Sequence, residues 1–168
     1  MSFKKISPQE LADNPFKLFG ADWALLTVKK GDKINPMTVG WGGLGVMWGK
    51  NVAYAVVRPE RYTHTMLDTE ERFSLTVFDE SYKKELGICG RLSGRDTDKV
   101  AECGFTPLLS GDVPYFEEAR LAIICKKLYA TDFKREEFFC PPEFVDKWYG
   151  GGFHTLYIAE IEEILVKE

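Results

Sequence analysis

The stretch that decides the fold runs from Asn35 to Gly49 and reads NPMTVGWGGLGVMWG. Five glycines fall between Gly40 and Gly49, in a segment whose Val, Thr and Trp residues otherwise favour a strand. Glycine inside a strand indicates a bulge or a close approach of the backbone to another group. That group could be a planar ligand walled by Met37 and Trp41. Composition alone favours the alternative, a glycine-rich barrel bend with Trp41 in the core.

Strand-like runs lie on both sides of this stretch. Trp23–Val28 (WALLTV) precedes it, with a turn at Lys29–Lys33, and Val52–Val57 (VAYAVV) follows it. Six or seven strands, mostly joined by hairpins, are predicted when the later apolar runs are added: Phe73–Phe78, Leu121–Ala130 and His154–Val166.

Two or three short helices are expected between the strands. They are predicted from Pro59 to near Arg72, from Ser81 as N-cap to Ser93, and over Asp96–Cys103, where Gly104 ends the helix. Pro141-Pro142 is interpreted as a break in the chain. Because no strand–helix–strand rhythm persists, the pattern favours a mainly β, antiparallel barrel with helical insertions over a parallel doubly wound sheet.

Length and composition exclude several classes of protein. The 168 residues are expected to form a single domain over 1–168. Hydrophobic residues make up 45% and charged residues 29%, which is typical of a globular chain and not of a disordered one. A net charge of −4 argues against nucleic acid as the main partner. No apolar run is long enough for a membrane span, and no secretory signal is visible.

The four cysteines favour reduced thiols in a cytoplasmic protein. None of them forms a CxxC pair, and the sequence has only two histidines. Neither a zinc site nor any other metal site is therefore expected, and a redox dithiol is not expected either.

Three further segments could carry chemistry, and each has a plain structural alternative. Arg58–Thr63 could bind a phosphate at a helix start, or be a solvated helix terminus. Cys89–Lys99 could form an anion-binding nest around Ser93-Gly94-Arg95, or an ordinary turn between helices. Gly150–His154 could present His154 to a substrate or cofactor, or hold a half-buried histidine. No GxGxxG, GxxxxGK[ST] or GxSxG motif occurs.

Taken in order, these segments resemble the flavin reductase-like family of FMN-binding split β-barrels, and most closely its flavoredoxin-type members. The resemblance covers the chain from about Trp23 to about Val166. The motifs that carry it are NPMTVGW, RPERYTHTML before FSLTVF, CGRLSGRDTDKVAECGF, PYFEEARLAIICKKLY and HTLYIAEIEEI.

The resemblance implies an antiparallel Greek-key split barrel and a homodimer that holds noncovalent FMN at its interface. The ring of FMN would be lined by Asn35, Met37, Thr38, Val39, Gly40 and Trp41. The phosphate end would be held by Arg58, Arg61, Tyr62 and Thr63, and Cys89, Gly90, Ser93 and Lys99 would close over the flavin or its ribityl chain.

The resemblance also implies an oxidoreductase. Electrons would pass from NAD(P)H or a reduced protein partner through FMN to a flavin, ferric iron or a protein acceptor. NADH-using members often show Gly-Asp-His before the last strand, where this chain reads Gly152-Phe153-His154. The catalytic candidate His154 is kept and the acid is lost, which leaves a non-catalytic FMN-binding electron carrier or sensor as the alternative.

Overall fold

Antiparallel β-structure dominates the chain in a computed structural model, which describes residues 2–168. The strands are β1 Phe3–Ile6, β2 Ala24–Lys30, β3 Lys33–Val39, β4 Gly42–Met47, β5 Lys50–Val57, β6 Arg72–Val77, β7 Pro107–Ser110, β8 Val113–Phe116, β9 Leu121–Asp132 and β10 Thr155–Lys167. Eight of them form one sheet in the order β3-β2-β6-β9-β10-β5-β4, with β1 paired to β10. The hairpin β7–β8 is separate. These features confirm the predicted antiparallel barrel.

Short helices are inserted between the strands. They are α1 Pro15–Lys17, α2 Tyr62–Leu67, α3 Lys83–Arg91, α4 Lys99–Cys103 and α5 Pro142–Tyr149. A π-helical turn over Leu18–Asp22 continues α1, and single 3-10 turns lie at Pro8–Glu10, Glu80–Tyr82 and Arg135–Glu137. No helix in residues 2–168 has both the length and the apolar character needed to cross a bilayer.

The barrel core is built from alternate residues of the strands, because successive side chains of a strand point to opposite faces. Residues of this interior set are fully or almost fully buried, and examples are Leu26, Ala55, Phe73, Ile123 and Ala159. On the outside, α3 and α4 cover a second apolar cluster that contains Leu25, Phe78, Leu86, Cys89, Phe105 and Phe116. The hairpin β7–β8 covers a third.

The glycines of the opening stretch make close contacts within the protein. A Cβ at Gly42 would lie 2.5 Å from the Tyr54 carbonyl oxygen and 2.6 Å from the Phe19 ring. A Cβ at Gly43 would overlap the Tyr54 phenol. The barrel-bend interpretation is therefore right for these two glycines, although Trp41 itself is not in the core and is 42% exposed.

Several predicted helix bounds are wrong. The helix placed at Pro59 begins at Tyr62, because Arg58–Arg61 forms a turn in which the Arg61 amide donates to the Arg58 carbonyl. That helix ends at Leu67, before Arg72. Ser81 lies inside a 3-10 turn and caps no helix.

The later helices also differ from their predictions. The helix placed at Asp96 begins at Lys99, where the Asp98 side chain caps it, and it ends at left-handed Gly104 as predicted. Pro141-Pro142 starts α5, with Pro142 in the first turn, where its missing amide hydrogen costs nothing.

Candidate functional site

An aromatic cavity of about 350 Å³ lies where the end of β3 meets β5, α3 and α5. Several predicted site residues line it together: Met37, Thr38, Val39, Gly40, Trp41, Arg58, Arg61, Gly90 and His154. Val56 and Trp148 complete the wall. The end of β3 is held against α3 by the Thr38 hydroxyl, which donates to the Leu86 carbonyl at 2.5 Å.

Two tryptophans give this cavity its flat walls. The Trp41 ring contacts Trp148 of α5 edge to face, with ring centroids 5.3 Å apart. Both indoles are partly exposed, so their ring faces are available to a planar ligand. The structure therefore favours the ligand-wall interpretation of Trp41 over the core interpretation.

His154 forms the floor of the aromatic cavity. Its side chain is only 9% exposed, and its ring packs 5.1 Å from Trp41 and 5.6 Å from Tyr149, centroid to centroid. Burial, followed by the charge of Arg58, lowers the pKa of His154 to about 4, so the imidazole is neutral near pH 7. Its buried Nδ1 has no hydrogen-bond partner within the described residues. The unpaired nitrogen of a neutral imidazole can donate a hydrogen bond to a bound ligand or accept one from it, according to the tautomer.

Arg58 lies at the aromatic end of the site, beside α5. Its Nη2 donates to the Trp148 carbonyl at 3.1 Å, and its Nη1 lies 3.7 Å from a Glu60 carboxylate oxygen. This guanidinium therefore ties the turn before α2 to α5. Lys99 and Thr63 lie elsewhere, in a second cavity.

That second cavity, of about 240 Å³, is cationic. Its lining contains the four positive residues Arg61, Arg91, Arg95 and Lys99, the neutral candidates Tyr62, Thr63 and Ser93, and one acid, Glu60. Arg61 lines both cavities, so they meet at its guanidinium. In residues 2–168, none of the four cations lies within 4.0 Å of a carboxylate oxygen, the limit that defines the ion pairs.

Lys99 carries the strongest electrostatic signal of the cationic cavity. The residue is only 2% exposed, and its Nζ donates to the Cys89 carbonyl at 3.3 Å. Burial, with a smaller contribution from the charge of nearby Arg61, lowers the pKa of Lys99 to about 8. Burial likewise lowers the pKa of Arg61, whose Nη1 donates to the Gly90 carbonyl at 2.8 Å. Two desolvated cations without an acid partner form a site that an anion would stabilise.

The turn between α3 and α4 pairs three of its backbone amides with Ser93. The Arg95 amide donates to the Ser93 hydroxyl at 3.2 Å. The amides of Asp96 and Thr97 donate to the Ser93 carbonyl. These three amides are satisfied within the turn, so the main donors available to an anion here are the cationic side chains.

Asn35 lies outside the aromatic cavity, contrary to the role that the resemblance implied. Its side chain is buried, and its Nδ2 donates to the Thr63 hydroxyl at 2.7 Å. A Cβ at Gly94 would overlap the Asn35 amide, so this position requires glycine. Asn35 lines a separate groove of about 630 Å³ on the other side of Gly94. The Asn35 side chain therefore links β3 to α2 and to the turn at Gly94.

The Cys89 side chain lines neither cavity. It is fully buried in the cluster beneath α3 and α4. Only its carbonyl oxygen faces the site, where it accepts from Lys99 and, at 3.4 Å, from Arg61 Nη2.

Sequence reasoning missed Trp148 and Arg91, and it named Arg95 only as part of a backbone nest and not for its cationic side chain. The signal for Trp148 was available, because Phe144, Val145, Trp148 and Tyr149 recur at helical spacing after Pro142. The two arginines carry no local pattern that separates them from surface charges. Their place in the cavity depends on how the turn after α3 folds back against Tyr62, whose ring lies 5.3 Å from the Arg95 guanidinium carbon.

Comparison with known proteins identifies the family. The family model described as "Flavin reductase like domain" matches residues 16–168. The chain belongs to the flavin reductase-like family. No curated protein sequence matches the chain.

Solved structures with the same fold include proteins named flavoredoxin and FMN-binding protein. A flavoredoxin from Methanosarcina acetivorans aligns with a TM-score of 0.70 and 20% identity, over 88% of this chain and 69% of that one. A flavoredoxin of Desulfovibrio vulgaris aligns with a TM-score of 0.70 and 20% identity, over 97% and 78%. An FMN-binding protein from Thermus thermophilus, with bound p-hydroxybenzaldehyde, gives a TM-score of 0.71 and 20% identity, over 98% and 82%.

The residues of this family member fit the group that the fold implies. FMN has a flat apolar ring system with polar edges, joined to a phosphate. The aromatic cavity offers indole walls and the unpaired Nδ1 of His154, while the adjoining cationic cavity offers Lys99 and Arg61. In residues 2–168, no group of three or more His, Cys, Asp and Glu side chains could hold a metal ion.

The buried neutral state of His154 predicts a loss of stability in acid. In the unfolded chain the His154 imidazole takes up a proton near pH 6.5, whereas in the folded chain it does so only near pH 4. The free energy of unfolding should therefore fall between pH 6.5 and pH 4, by about 2–3 kcal/mol from this residue. Urea unfolding across this range should show a smaller loss for His154→Gln. Equal losses in both proteins would contradict the assignment.

Proposed function

We propose that this chain binds FMN noncovalently and works as a flavin reductase- or flavoredoxin-type oxidoreductase. Electrons would pass from a nicotinamide or a reduced protein to a flavin, ferric iron or a protein acceptor. One observation carries the proposal: an aromatic cavity and a cationic cavity without acid partners meet at Arg61. Family membership supports it, as do neighbours of the same fold named FMN-binding protein and flavoredoxin.

The aromatic cavity is proposed to hold the ring system. Trp41 and Met37 would contact its faces, while the backbone of Thr38–Gly40 runs along the same wall. His154, neutral and with Nδ1 unpaired, would bond a polar atom at the ring edge. FMN would supply the electron-accepting and electron-donating chemistry, and the protein would supply orientation and electrostatics.

The cationic cavity is proposed to hold the phosphate. Lys99 and Arg61 would donate charge-assisted hydrogen bonds, and Ser93 and Thr63 offer hydroxyls in the same lining. A bound phosphate would also stabilise the charged form of Lys99, which burial disfavours. Arg58, which lies at the aromatic end, is assigned to positioning α5 and not to the phosphate.

A non-catalytic FMN-binding carrier or sensor is the second candidate, and Phe153 favours it. Phe153 stands where NADH-using members often have an acid. Its ring stacks on Tyr149 with centroids 4.9 Å apart and lies 5.9 Å from Phe138. This position therefore serves aromatic packing beneath α5 and offers no carboxylate to a nicotinamide donor. A reduced redox protein would then be the electron donor to FMN.

We propose that two copies of the chain form a homodimer with FMN at its interface. The contact surface would be the outer face of the sheet. Tyr54, Ile158 and Tyr129 lie in one row across β5, β10 and β9. Tyr129 is 50% exposed, and Trp48, with its ring centroid 6.3 Å away, is 59% exposed. Trp48 also has a positive φ of 52° at the tip of the β4–β5 hairpin, a costly conformation for a bulky residue.

The same face leads to the aromatic cavity. Val56, two residues beyond Tyr54 on β5 and on the same side of the sheet, lines that cavity. A second copy seated on the aromatic row would therefore border the ring-binding wall. Exposed aromatic residues in a contiguous patch are typical of protein interfaces.

We expect Lys99→Met to weaken FMN binding by about 10–100-fold, since a hydrogen bond to a charged group contributes about 1.5–3 kcal/mol. Riboflavin, which lacks the phosphate, should bind both proteins equally. FMN affinity of the unmodified chain should also fall as pH rises through about 8, because the Lys99 amine loses its proton there. This decline should disappear in Lys99→Met.

Quenching of flavin fluorescence between pH 7 and pH 9.5 measures both effects. Lys84→Met, on the exposed side of α3, is the matched control and should leave FMN binding unchanged. Equal losses for FMN and riboflavin in Lys99→Met would refute the phosphate assignment.

The oxidoreductase proposal predicts that the visible flavin absorbance of the FMN-loaded protein bleaches under anaerobic NADH or NADPH. Phe153→Asp, which introduces the acid of NADH-using members, should bleach faster. A spectrum that persists with both nicotinamides but bleaches with dithionite would favour the carrier or sensor. A chain that takes up no FMN would contradict both candidates.

The dimer proposal predicts a molar mass in solution of twice the chain mass. Tyr129→Glu should give monomers, because it places a charge in the middle of the aromatic row. Phe139→Glu, at a fully exposed ring elsewhere, should remain dimeric. Light scattering after gel filtration distinguishes these cases. A monomeric unmodified chain would refute the dimer, and a dimeric Tyr129→Glu would refute this interface.

A further inference from the structure

The fold brings two cysteines together at the junction of α3 and α4. The Sγ atoms of Cys89 and Cys103 lie 3.6 Å apart, although the residues are 14 positions apart in sequence. Cys89 is fully buried, and Cys103 is half-buried at the last position of α4. The other two cysteines, Cys125 and Cys140, are not paired in this way within the described residues.

We propose that Cys89 and Cys103 form a dithiol redox site that small disulfides oxidise to an intramolecular disulfide. The sequence spacing of the two cysteines does not predict this site, because it differs from that of a CxxC pair. The two thiols line neither cavity, and the proposed reaction does not depend on FMN.

The geometry favours closure of the bond. A disulfide requires the sulfurs to approach to about 2.05 Å, and these two are already in van der Waals contact. Cys103 is followed by left-handed Gly104, so it lies where the helix ends and its backbone is less constrained than in a helix interior. The sulfurs can therefore approach with a local movement at the end of α4.

The reaction is a pair of thiol–disulfide exchanges. The Cys103 thiolate attacks one sulfur of the small disulfide, forms a mixed disulfide and releases one small thiol. The Cys89 thiolate then attacks the Cys103 sulfur, forms the intramolecular bond and releases the second small thiol. The two cysteines lose two hydrogens and two electrons, which the small disulfide gains.

The solvent access of each cysteine sets the order of these exchanges, and the pKa of each thiol sets their rate. Cys103 reacts first because its side chain reaches solvent, whereas Cys89 is buried beneath α3. Burial raises the pKa of Cys89 to about 12 and also raises that of Cys103. Both groups are therefore thiols at neutral pH, and the reaction should accelerate with rising pH because the thiolate is the nucleophile.

The bond would close a loop that contains the wall of the cationic cavity. Ser93, Arg95 and Lys99 all lie between the two cysteines in sequence. The Cys89 carbonyl also accepts the hydrogen bond of Lys99. The disulfide would thus join the two ends of a segment that supplies part of the lining of this cavity.

Hydroxyethyl disulfide, added to the folded Cys140→Ser protein, tests the proposal. This variant removes the one half-exposed cysteine outside the pair. The intact mass should fall by about 2 Da, since two hydrogens leave, and dithiothreitol should reverse the loss. Peptide mapping should find Cys89 joined to Cys103, and the rate should rise about tenfold per pH unit near neutral pH.

Two further variants in the same background isolate the steps. Cys89→Ser should stop at a stable mixed disulfide on Cys103, about 76 Da heavier. Cys103→Ser should not react while the circular dichroism spectrum stays native. A stable mixed disulfide on Cys103 with Cys89 still present would overturn the proposal. So would no reaction, a bond to Cys125, or oxidation that occurs only in urea.

Discussion

The pairing of β10 with three other strands is the constraint on which the rest of the structure depends. This thirteen-residue strand pairs with β1, β5 and β9, so its register fixes the middle of the sheet. Two register shifts, at Ile158/Ala159 and Ile161/Glu163, bend it around the core. His154 immediately precedes this strand and α5 lies in the connection before it. The aromatic end of the site is therefore positioned by the most extensively paired strand of the barrel.

The cationic end depends on a different part of the fold. It is built from the turn before α2 and the segment between α3 and α4, which meet through hydrogen bonds to backbone carbonyls. Arg61 bonds the Gly90 carbonyl at 2.8 Å, and Arg95 bonds the Glu60 carbonyl at 3.1 Å. Because carbonyl oxygens carry only partial charge, they orient these cations without neutralising them. A carboxylate in the same place would orient them equally well and abolish the attraction for an anion.

The sequence predicted what depends on local pattern and missed what depends on packing. Strands such as Phe73–Phe78 are visible because they are apolar runs with turn residues at their ends. Composition favoured a core position for Trp41, which the structure leaves 42% exposed, because a tryptophan beside glycines also suits a ligand wall. α5 was missed because Pro141-Pro142 reads as a break, although proline is also favoured in the first turn of a helix. The neighbouring thiols of Cys89 and Cys103 follow only from the packing of two helices.

The buried charge of Lys99 shows how binding and stability are opposed in this chain. Its pKa in the folded protein is about 8, against 10.5 for an exposed lysine, so the charged amine destabilises the fold below pH 8. The difference corresponds to about 3 kcal/mol, which is relieved as pH rises from 8 towards 10.5. Such a cost is a large fraction of the stability of a typical domain. An anion bound at the proposed phosphate site would offset this cost by restoring a partner to the amine, so the desolvation that destabilises the empty fold would favour binding of the anion.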